Sequence, residues 1–265
     1  MIYDFGFYAL SLQSQKLSLM KLLVCISKVP DTTAKVAFTD GNTRYNENGV
    51  QFIINPYDEW YALVRALELK ETLGGSVTVI NVGKADNEQI IRKALALGAD
   101  DAVRIDMDPA DAWQVASQIA QYAKGGGFDI IFTGKETIDY NGGIVGGMLA
   151  ELLDLPYVAL AAKLDVDGTQ LNIAQEMEGV KQLIKVSMPC VVSAQKGMAE
   201  ARIPNMRGIL ASKSKPVQVI PASGDAAKSP VKVFVMPAEK QGCKMISAEN
   251  PEELVQLLHN EAKVI

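Results

Sequence analysis

The chain has few of the residues that most often carry out catalysis or bind metals. It contains one histidine, His259, and three cysteines, Cys25, Cys190 and Cys243, among 265 residues. A single histidine argues against histidine-based acid–base chemistry and against a histidine-rich metal site. The cysteines lie far apart and form no Cys-x-x-Cys pair, which fits a reducing compartment and offers no disulfide or metal framework. We therefore predict no catalytic residue and no metal site, and a hydrolase is disfavoured.

An excess of positive charge is also absent. The 26 Lys and Arg residues are outnumbered by 31 Asp and Glu residues, so the formal net charge is -5. Nucleic-acid backbones and anionic membranes favour basic surfaces, so neither is expected as the main partner. No segment approaches the roughly eighteen apolar residues needed to span a bilayer. We expect a cytoplasmic protein with no direct membrane insertion.

The two ends of the chain differ in character from its middle. Residues 1–19 lack the basic start and uninterrupted apolar core of a secretory signal, and the apolar run of a first buried strand begins abruptly at Met20. We expect residues 1–19 to be a non-native or disordered extension and residues 20–215 to form the main domain. Residues 216–265 hold a weak strand at 231–235 and a helix at 251–262, with too few apolar residues for a separate core, so they are predicted to form an arm.

The main domain alternates short β-branched runs with amphipathic stretches. This alternation is typical of an α/β fold with a doubly wound, mostly parallel sheet. The predicted strands are residues 22–26, 77–82, 102–105 and 130–133, and the predicted helices are residues 57–73, 87–97 and 110–124. A small hairpin is predicted within residues 34–48, and antiparallel additions over residues 161–193. Gly74, Gly98 and Gly125 fit the ends of the three helices.

A glycine-rich turn over residues 133–147 joins an apolar strand to a helix. Asn141 fits the N-cap, and Gly142, Gly143, Gly146 and Gly147 remove side chains where backbone N–H groups could approach an anion. The spacing matches neither a Walker loop nor GxGxxG, so two interpretations stay open: a nucleotide phosphate site, or a tight turn whose glycines pack helix against strand.

Other loops should meet this turn at the carboxyl edge of the sheet. Ligands of open parallel sheets lie there, at the point where the strand order reverses. The loops of residues 27–31 and 81–83 leave the first and second predicted strands. Lys28 or Lys135 could offset phosphate charge, although a solvated surface position explains either lysine equally well.

Several motifs together resemble the beta (small) subunit of the electron transfer flavoproteins, from Met20 to Ile265. The resemblance rests on segments spread along the chain. They are residues 24–31 (VCISKVPD), 55–59 (NPYDE), 91–100 (IRKALALGAD), 133–135 (TGK) with 138–139 (ID), 186–193 (VSMPCVVS) and 202–213 (RIPNMRGILASK).

The resemblance implies an electron carrier rather than a stand-alone enzyme. In this family an alpha subunit holds the redox-active FAD, and the beta subunit binds AMP or, in electron-bifurcating members, a second FAD. The resemblance implies that Thr32 and Tyr57, by their positions, face the flavin of the alpha subunit. It also implies that residues 216–265 contact the alpha subunit. The nucleotide-site residues that it implies are Cys25, Asn55, Val82, Asp139, Tyr140, Asn141, Gly142, Gly143, Ile144, Val145 and Gly146.

The resemblance also implies surfaces for protein partners. Glu176 matches a carboxylate that pairs with an arginine of the alpha subunit, although around it the usual Arg-Glu-x-Asp-Gly-Gly-x-Glu pattern survives only in Glu176 and Gly179. Met206 occupies the position of the family's leucine anchor, on a loop flanked by Arg202 and Arg207. An apolar anchor between cations suits an acidic protein partner with a hydrophobic pocket.

The favoured hypothesis is therefore a carrier subunit that helps move electrons from acyl-CoA dehydrogenase-type flavoproteins to a further acceptor. Two alternatives from other classes remain on the same fold. One is an ATP-binding adenylating or hydrolysing enzyme, for which Glu136 and Asp139 are the nearby carboxylates. The other is a nucleotide-sensing module without electron transfer.

Overall fold

The computed structural model describes residues 19–239 and 242–265, so the expectation for residues 1–19 lies, apart from Leu19, outside the described residues. The strands are β1 (Met20–Cys25), β2 (Lys28–Pro30), β3 (Phe38–Thr39), β4 (Arg44–Tyr45), β5 (Phe52–Ile54), β6 (Gly75–Val82), β7 (Asp101–Asp106), β8 (Ile130–Gly134), β9 (Tyr157–Asp167), β10 (Gln170–Met177), β11 (Val180–Ser187), β12 (Cys190–Ala194) and β13 (Val217–Pro221). The α-helices are α1 (Asp58–Leu73), α2 (Glu88–Leu97), α3 (Ala112–Ala123), α4 (Val145–Leu153), α5 (Met206–Ser212) and α6 (Pro251–Leu257).

Nine strands form one central sheet in the order β11-β10-β9-β12-β8-β1-β6-β7-β13. In this spatial order, all neighbouring strands between β9 and the edge strand β13 are parallel. At the other edge, β10 pairs antiparallel with both β9 and β11. The sheet is built outward from β1 through β6 and β7, and the chain then returns to place β8 on the other side of β1. The predicted α/β, doubly wound and mostly parallel sheet with antiparallel additions is confirmed, and its strand order reverses between β1 and β8.

Both faces of the central, parallel part of the sheet are buried under helices. On one face Leu22, Val24 and Phe132 pack with residues of α1 and α2, and on the other Leu23 and Ile131 pack with residues of α3 and α4. A strand covered on both faces reads as a continuous apolar run, which is why β1 and β8 were recognisable in the sequence. Burial of each such large side chain stabilises the fold by roughly 1.5–3 kcal/mol.

Most of the predicted elements are present with boundaries shifted by a few residues. Two strand pairings go beyond the prediction. The short strands β2 and β5 pair beside the carboxyl end of β1, and β13 pairs with β7 and extends the sheet at that edge. The strand predicted at residues 231–235 is wrong, because this segment forms no strand ladder with any residue that the structure describes. The predicted hairpin within residues 34–48 is the β3–β4 pair.

The first part of the predicted arm, residues 216–265, is fixed to the main domain. Beyond β13, the backbone N–H of Ser223 donates to Oε1 of Gln118 on α3 at 2.9 Å. Farther along, the ring of Phe234 stacks on Phe38 of β3, with 4.5 Å between centroids. Within residues 19–239 and 242–265, no helix is long and apolar enough to cross a membrane.

Candidate functional site

The carboxyl ends of β1 and β8 lie side by side where the strand order reverses. The parallel register pairs Val24 with Phe132, so the loops that leave both strands start at the same edge. Cys25 is buried at the end of β1, and Val82 is buried at the end of the neighbouring β6. Such a reversal opens a crevice at the edge of the sheet, which is the usual ligand position in this class of fold. We call it the switch crevice.

Asn55 holds the loop that leaves β8. Its side chain is fully buried, and its Nδ2 donates to the carbonyl oxygen of Glu136 at 2.8 Å. Its Oδ1 accepts a hydrogen bond from the backbone N–H of Ile138 at 3.0 Å. An amide can donate and accept at once, so one side chain satisfies two backbone groups of the loop. Asn55 therefore shapes the glycine-rich loop by positioning its backbone.

Helix α4 begins at the far side of this loop without a side-chain cap. Its N-cap is Ile144, which makes no capping hydrogen bond, so the prediction of Asn141 as N-cap is wrong. Asn141 instead adopts a left-handed conformation, with φ of 49°, three residues earlier. The first N–H groups of an α-helix have no intrahelical acceptor, and the helix dipole makes this end positive. The start of α4 is therefore able to receive an anion.

Gly146 brings the first turn of α4 into close contact with the end of β8. A Cβ atom at this position would lie 2.8 Å from Oγ1 of Thr133 and 2.9 Å from the hydroxyl of Tyr157. The Thr133 hydroxyl is buried and has no hydrogen-bond partner among the residues that the structure describes. A buried hydroxyl without a partner costs about 1–3 kcal/mol. Thr133 begins the predicted glycine-rich turn but is not among the predicted site residues. The signal that could have identified it is a polar residue near the carboxyl end of an apolar strand, where ligands of this fold bind.

The opposite wall of the crevice is acidic. Asp58 and Glu59 occupy the first turn of α1, and neither was predicted as a site residue. Glu59 is buried, and its Oε2 and Oε1 lie 2.5 Å from the Ser27 backbone nitrogen and 2.7 Å from Ser27 Oγ. Burial raises the pKa of Glu59 to about 8, and the negative charges of Asp139 and Asp58 act in the same direction, whereas the Ser27 hydrogen bonds oppose it.

The two lysines expected near a phosphate both have protein partners. Nζ of Lys135 lies 2.8 Å from Oε1 of Glu136, and that hydrogen bond raises the pKa of Lys135. Lys28 pairs with Asp86 and lies over the ring of Phe52, 4.0 Å from its centroid. Backbone N–H groups and the α4 dipole are thus the main positive features on the glycine-rich side.

Exposed side chains surround the mouth of the crevice. Tyr57 is 52% exposed and precedes α1 in a γ-turn, with φ of 66° and a hydrogen bond from the N–H of Asp58 to the carbonyl oxygen of Pro56 at 2.8 Å. Such a turn is strained for a residue with a side chain. Thr32 is also exposed, as are the loop residues Asp139, Tyr140, Asn141, Gly142, Gly143 and Ile144.

The segment predicted as a recognition loop contains a short helix. Met206 is the first residue of α5 and is 71% exposed, so the prediction of a loop is wrong at this point. Gly208 allows the close contact of α5 with α2, because a Cβ there would lie 2.2 Å from the carbonyl oxygen of Ala96. Met206 is therefore presented on a firmly supported surface.

The charged residues predicted for partner recognition have different environments. Arg202 forms two hydrogen bonds with Glu71, at 2.7 and 2.9 Å, and that pairing raises the pKa of Arg202. Arg207 is exposed on α5. Glu176 lies on β10, away from α5, and pairs across the β10–β11 ladder with Lys181 at 2.6 Å. The structure thus brings together the predicted nucleotide residues, but it separates Glu176 from the segment around Met206.

Known proteins of one family are similar to this chain over most of its length. The family model described as "Electron transfer flavoprotein domain" matches residues 43–225. The electron transfer flavoprotein subunit beta of Bacillus subtilis (strain 168) is 36% identical over 260 residues, covering 93% of this chain and 100% of the relative. The subunits of the same name from Syntrophomonas wolfei and Homo sapiens are 35% and 28% identical, each covering 92% of this chain, and 98% and 99% of their own lengths.

These relatives are named as electron-transfer proteins, which confirms the expectation of a carrier rather than an enzyme. By the family model and by these identities, the chain belongs to the electron transfer flavoprotein family.

Proposed function

We propose that this chain is the beta subunit of a cytoplasmic heterodimer that carries electrons between flavoproteins. In this proposal, an alpha subunit holds the redox-active FAD, and the switch crevice binds an adenine nucleotide, either AMP or a second FAD. The electrons come from acyl-CoA dehydrogenase-type flavoproteins and pass to a further acceptor. The observation that supports the nucleotide site best is the uncapped start of α4, which faces the reversal of strand order.

The residues of the crevice fit a phosphate-bearing ligand. The N–H groups at the start of α4 and in the preceding loop are donors suited to phosphate oxygens. Gly142 leaves open space, since a Cβ atom there would meet no described residue within 4 Å. The buried Thr133 hydroxyl beneath the same helical turn has no partner in the described part of the chain, so a donor is available there. Most of these contacts use backbone, which explains how glycines can serve here.

The chain's own residues bind and orient in this proposal. Asn55 keeps the loop in the shape that exposes its N–H groups, and Gly146 lets α4 approach the sheet closely. Val82 and Cys25 offer an apolar floor at the ends of β6 and β1. A bound flavin supplies the electron-transfer chemistry, and the protein supplies its environment.

The exposed surfaces at the mouth of the crevice and beyond it are assigned to protein partners. Met206 and Arg207, exposed on α5, would contact the partner flavoprotein, while Glu176 on β10 and part of residues 216–265 would contact the alpha subunit. Thr32 and Tyr57, exposed at the mouth of the crevice, would face the flavin of the alpha subunit. Arg202 would add to recognition only by leaving Glu71, so we assign the steering role to Arg207.

The test is the cofactor content of the complex. This chain would be co-purified with its alpha subunit, the nucleotides released by denaturation, and FAD and AMP quantified by chromatography. One FAD and one AMP per heterodimer, or two FAD, would support the nucleotide site and distinguish its two candidate ligands. A verified complex without flavin, or ATP turnover by the isolated chain, would overturn the carrier assignment in favour of the sensing module or the ATP-dependent enzyme.

A matched pair of variants locates the nucleotide. Gly146→Ala places a methyl group against Thr133 and Tyr157, so it should displace the first turn of α4 and lower nucleotide occupancy. Gly224→Ala adds the same methyl group where none of residues 19–239 and 242–265 has an atom within 4 Å, so occupancy should remain unchanged. Equal occupancy in both variants would place the nucleotide elsewhere.

A further inference from the structure

Glu59 connects the exits of the two strands that border the switch crevice. It is only 5% exposed, and it faces Ser27, just after β1, through the backbone nitrogen and through Oγ. Its Cγ also packs against the end of β8, because a Cβ atom on Gly134 would lie 2.8 Å away from it. The carboxyl group is therefore built into the base of the crevice.

The groups around Glu59 do not neutralise a negative charge. In the described ranges, 19–239 and 242–265, Glu59 has no ion-pair partner within 4.0 Å. Asp58 on the same turn and Asp139 on the β8–α4 loop add negative charge. The Cys25 thiol on β1 stays protonated because burial raises its pKa. The remaining charged groups of the loop, Lys135 and Glu136, bind each other.

The proton on Glu59 determines what the Ser27 hydroxyl can do. An ionised carboxylate only accepts, so Ser27 must direct both its N–H and its O–H at Glu59. A protonated carboxyl can donate from Oε1 to Ser27 Oγ at the same 2.7 Å separation, while Oε2 still accepts from the Ser27 N–H. The hydroxyl hydrogen of Ser27, a partly exposed residue at the crevice, is then free to point at a ligand.

We propose that the switch crevice binds an anionic nucleotide together with one proton, which resides on Glu59 and turns the Ser27 hydroxyl into a donor for the ligand. The inference rests on the proposed nucleotide site and adds its proton dependence. Glu59 is a positioning residue here, since it acts through Ser27. At a pH where Glu59 of the free protein has lost its proton, binding transfers one proton from solvent to a Glu59 oxygen; at lower pH that proton is already in place and none is taken up.

The direction of the pH effect follows from the raised pKa of Glu59, about 8. Below this value the crevice is already protonated, so affinity should be constant. At higher pH, the fraction of the protein in which Glu59 is protonated decreases with each further pH unit. The apparent affinity for the nucleotide decreases in proportion to this fraction. Between about pH 7 and about pH 9, we expect the affinity for AMP to fall about tenfold. The second ionisation of a phosphate monoester lies near pH 6, so it does not contribute in this range.

The experiment is calorimetric titration of the heterodimer, freed of bound nucleotide, with AMP and separately with FAD. Titrations at about pH 9 in two buffers of different ionisation enthalpy count the protons taken up. Uptake approaching one proton, with the tenfold loss of affinity, supports the inference. Equal affinities at the two pH values and no uptake overturn it while leaving the nucleotide site intact. No binding of either nucleotide at any pH overturns the site and this inference together.

Three variants distinguish this role from a structural one. Glu59→Gln has no titrating group, so its affinity for AMP should be the same at both pH values. Ser27→Ala should bind more weakly at about pH 7 and lose most of the pH dependence. Glu151→Gln removes an exposed carboxylate of α4 and should behave like the unchanged protein. A full pH dependence retained in Ser27→Ala would contradict the part assigned to the hydroxyl, and the proton count on the unchanged protein does not depend on any variant folding.

Discussion

Asn55→Ala tests whether one buried amide shapes the glycine-rich loop. The change removes the hydrogen bonds from Asn55 Nδ2 to the Glu136 carbonyl and from the Ile138 N–H to Asn55 Oδ1. A hydrogen bond is worth about 1 kcal/mol net, and leaving its buried partner unpaired costs about 1–3 kcal/mol. We expect the free energy of unfolding to decrease by about 2–4 kcal/mol.

The same change should weaken nucleotide binding, because the loop must then be ordered by the ligand. Each 1.4 kcal/mol of binding free energy, roughly, that is spent on ordering the loop lowers the affinity tenfold. We therefore expect the affinity for AMP to decrease at least about tenfold. Urea unfolding gives the stability, and calorimetric titration of the heterodimer gives the affinity. Asn48→Ala removes an exposed amide outside the crevice, so it should change neither quantity.

Asn55→Asp provides a sharper version of the test. The aspartate keeps an acceptor for Ile138, but as an anion it places a second oxygen against the carbonyl of Glu136. At neutral pH, Asn55→Asp should lose as much stability and nucleotide affinity as the alanine variant. These losses should decrease on acidification, when the protonated carboxyl can donate a hydrogen bond again. The reasoning would be refuted if Asn55→Ala changed unfolding by less than about 0.5 kcal/mol, the size of an ordinary surface substitution, and retained nucleotide.

Three further predictions concern the partner surfaces. Gly208→Ala puts a methyl group against the Ala96 carbonyl, so α5 should separate from α2 and its amides should exchange faster with solvent. Unchanged exchange would show that the contact is loose. Phe234→Ala removes the stacking on Phe38 and should make residues 231–239 sensitive to limited proteolysis without changing the melting temperature of the sheet. Deletion of residues 230–265 keeps β13 and should weaken binding to the alpha subunit, measured by gel filtration or calorimetry; an unchanged affinity would contradict the assigned arm.

The sheet was predictable from sequence because its strands and helices carry strong periodic signals. Runs such as Leu22 to Val24 are apolar at every position because both faces of the sheet are covered, and they stand out against the amphipathic helices between them. The edge strand β13 was not predicted, since its side chains are mostly exposed. Residues 231–235 have the β-branched composition of a strand, but no strand of the described part of the chain pairs with them, and composition alone cannot supply one.

The candidate site was only partly predictable, and the reason lies in what its residues do. Glycines indicated where backbone could approach an anion, which located the start of α4. The roles of Thr133 and Glu59 depend on residues that are distant in the sequence. The fold places Gly146 beside Thr133, and it places Ser27 and Gly134 beside Glu59. In the sequence, Glu59 cannot be told from an exposed glutamate, because Ser27, the residue it contacts, lies 32 residues earlier in the chain. For that reason, the proton dependence of the crevice follows from the structure and not from any local motif.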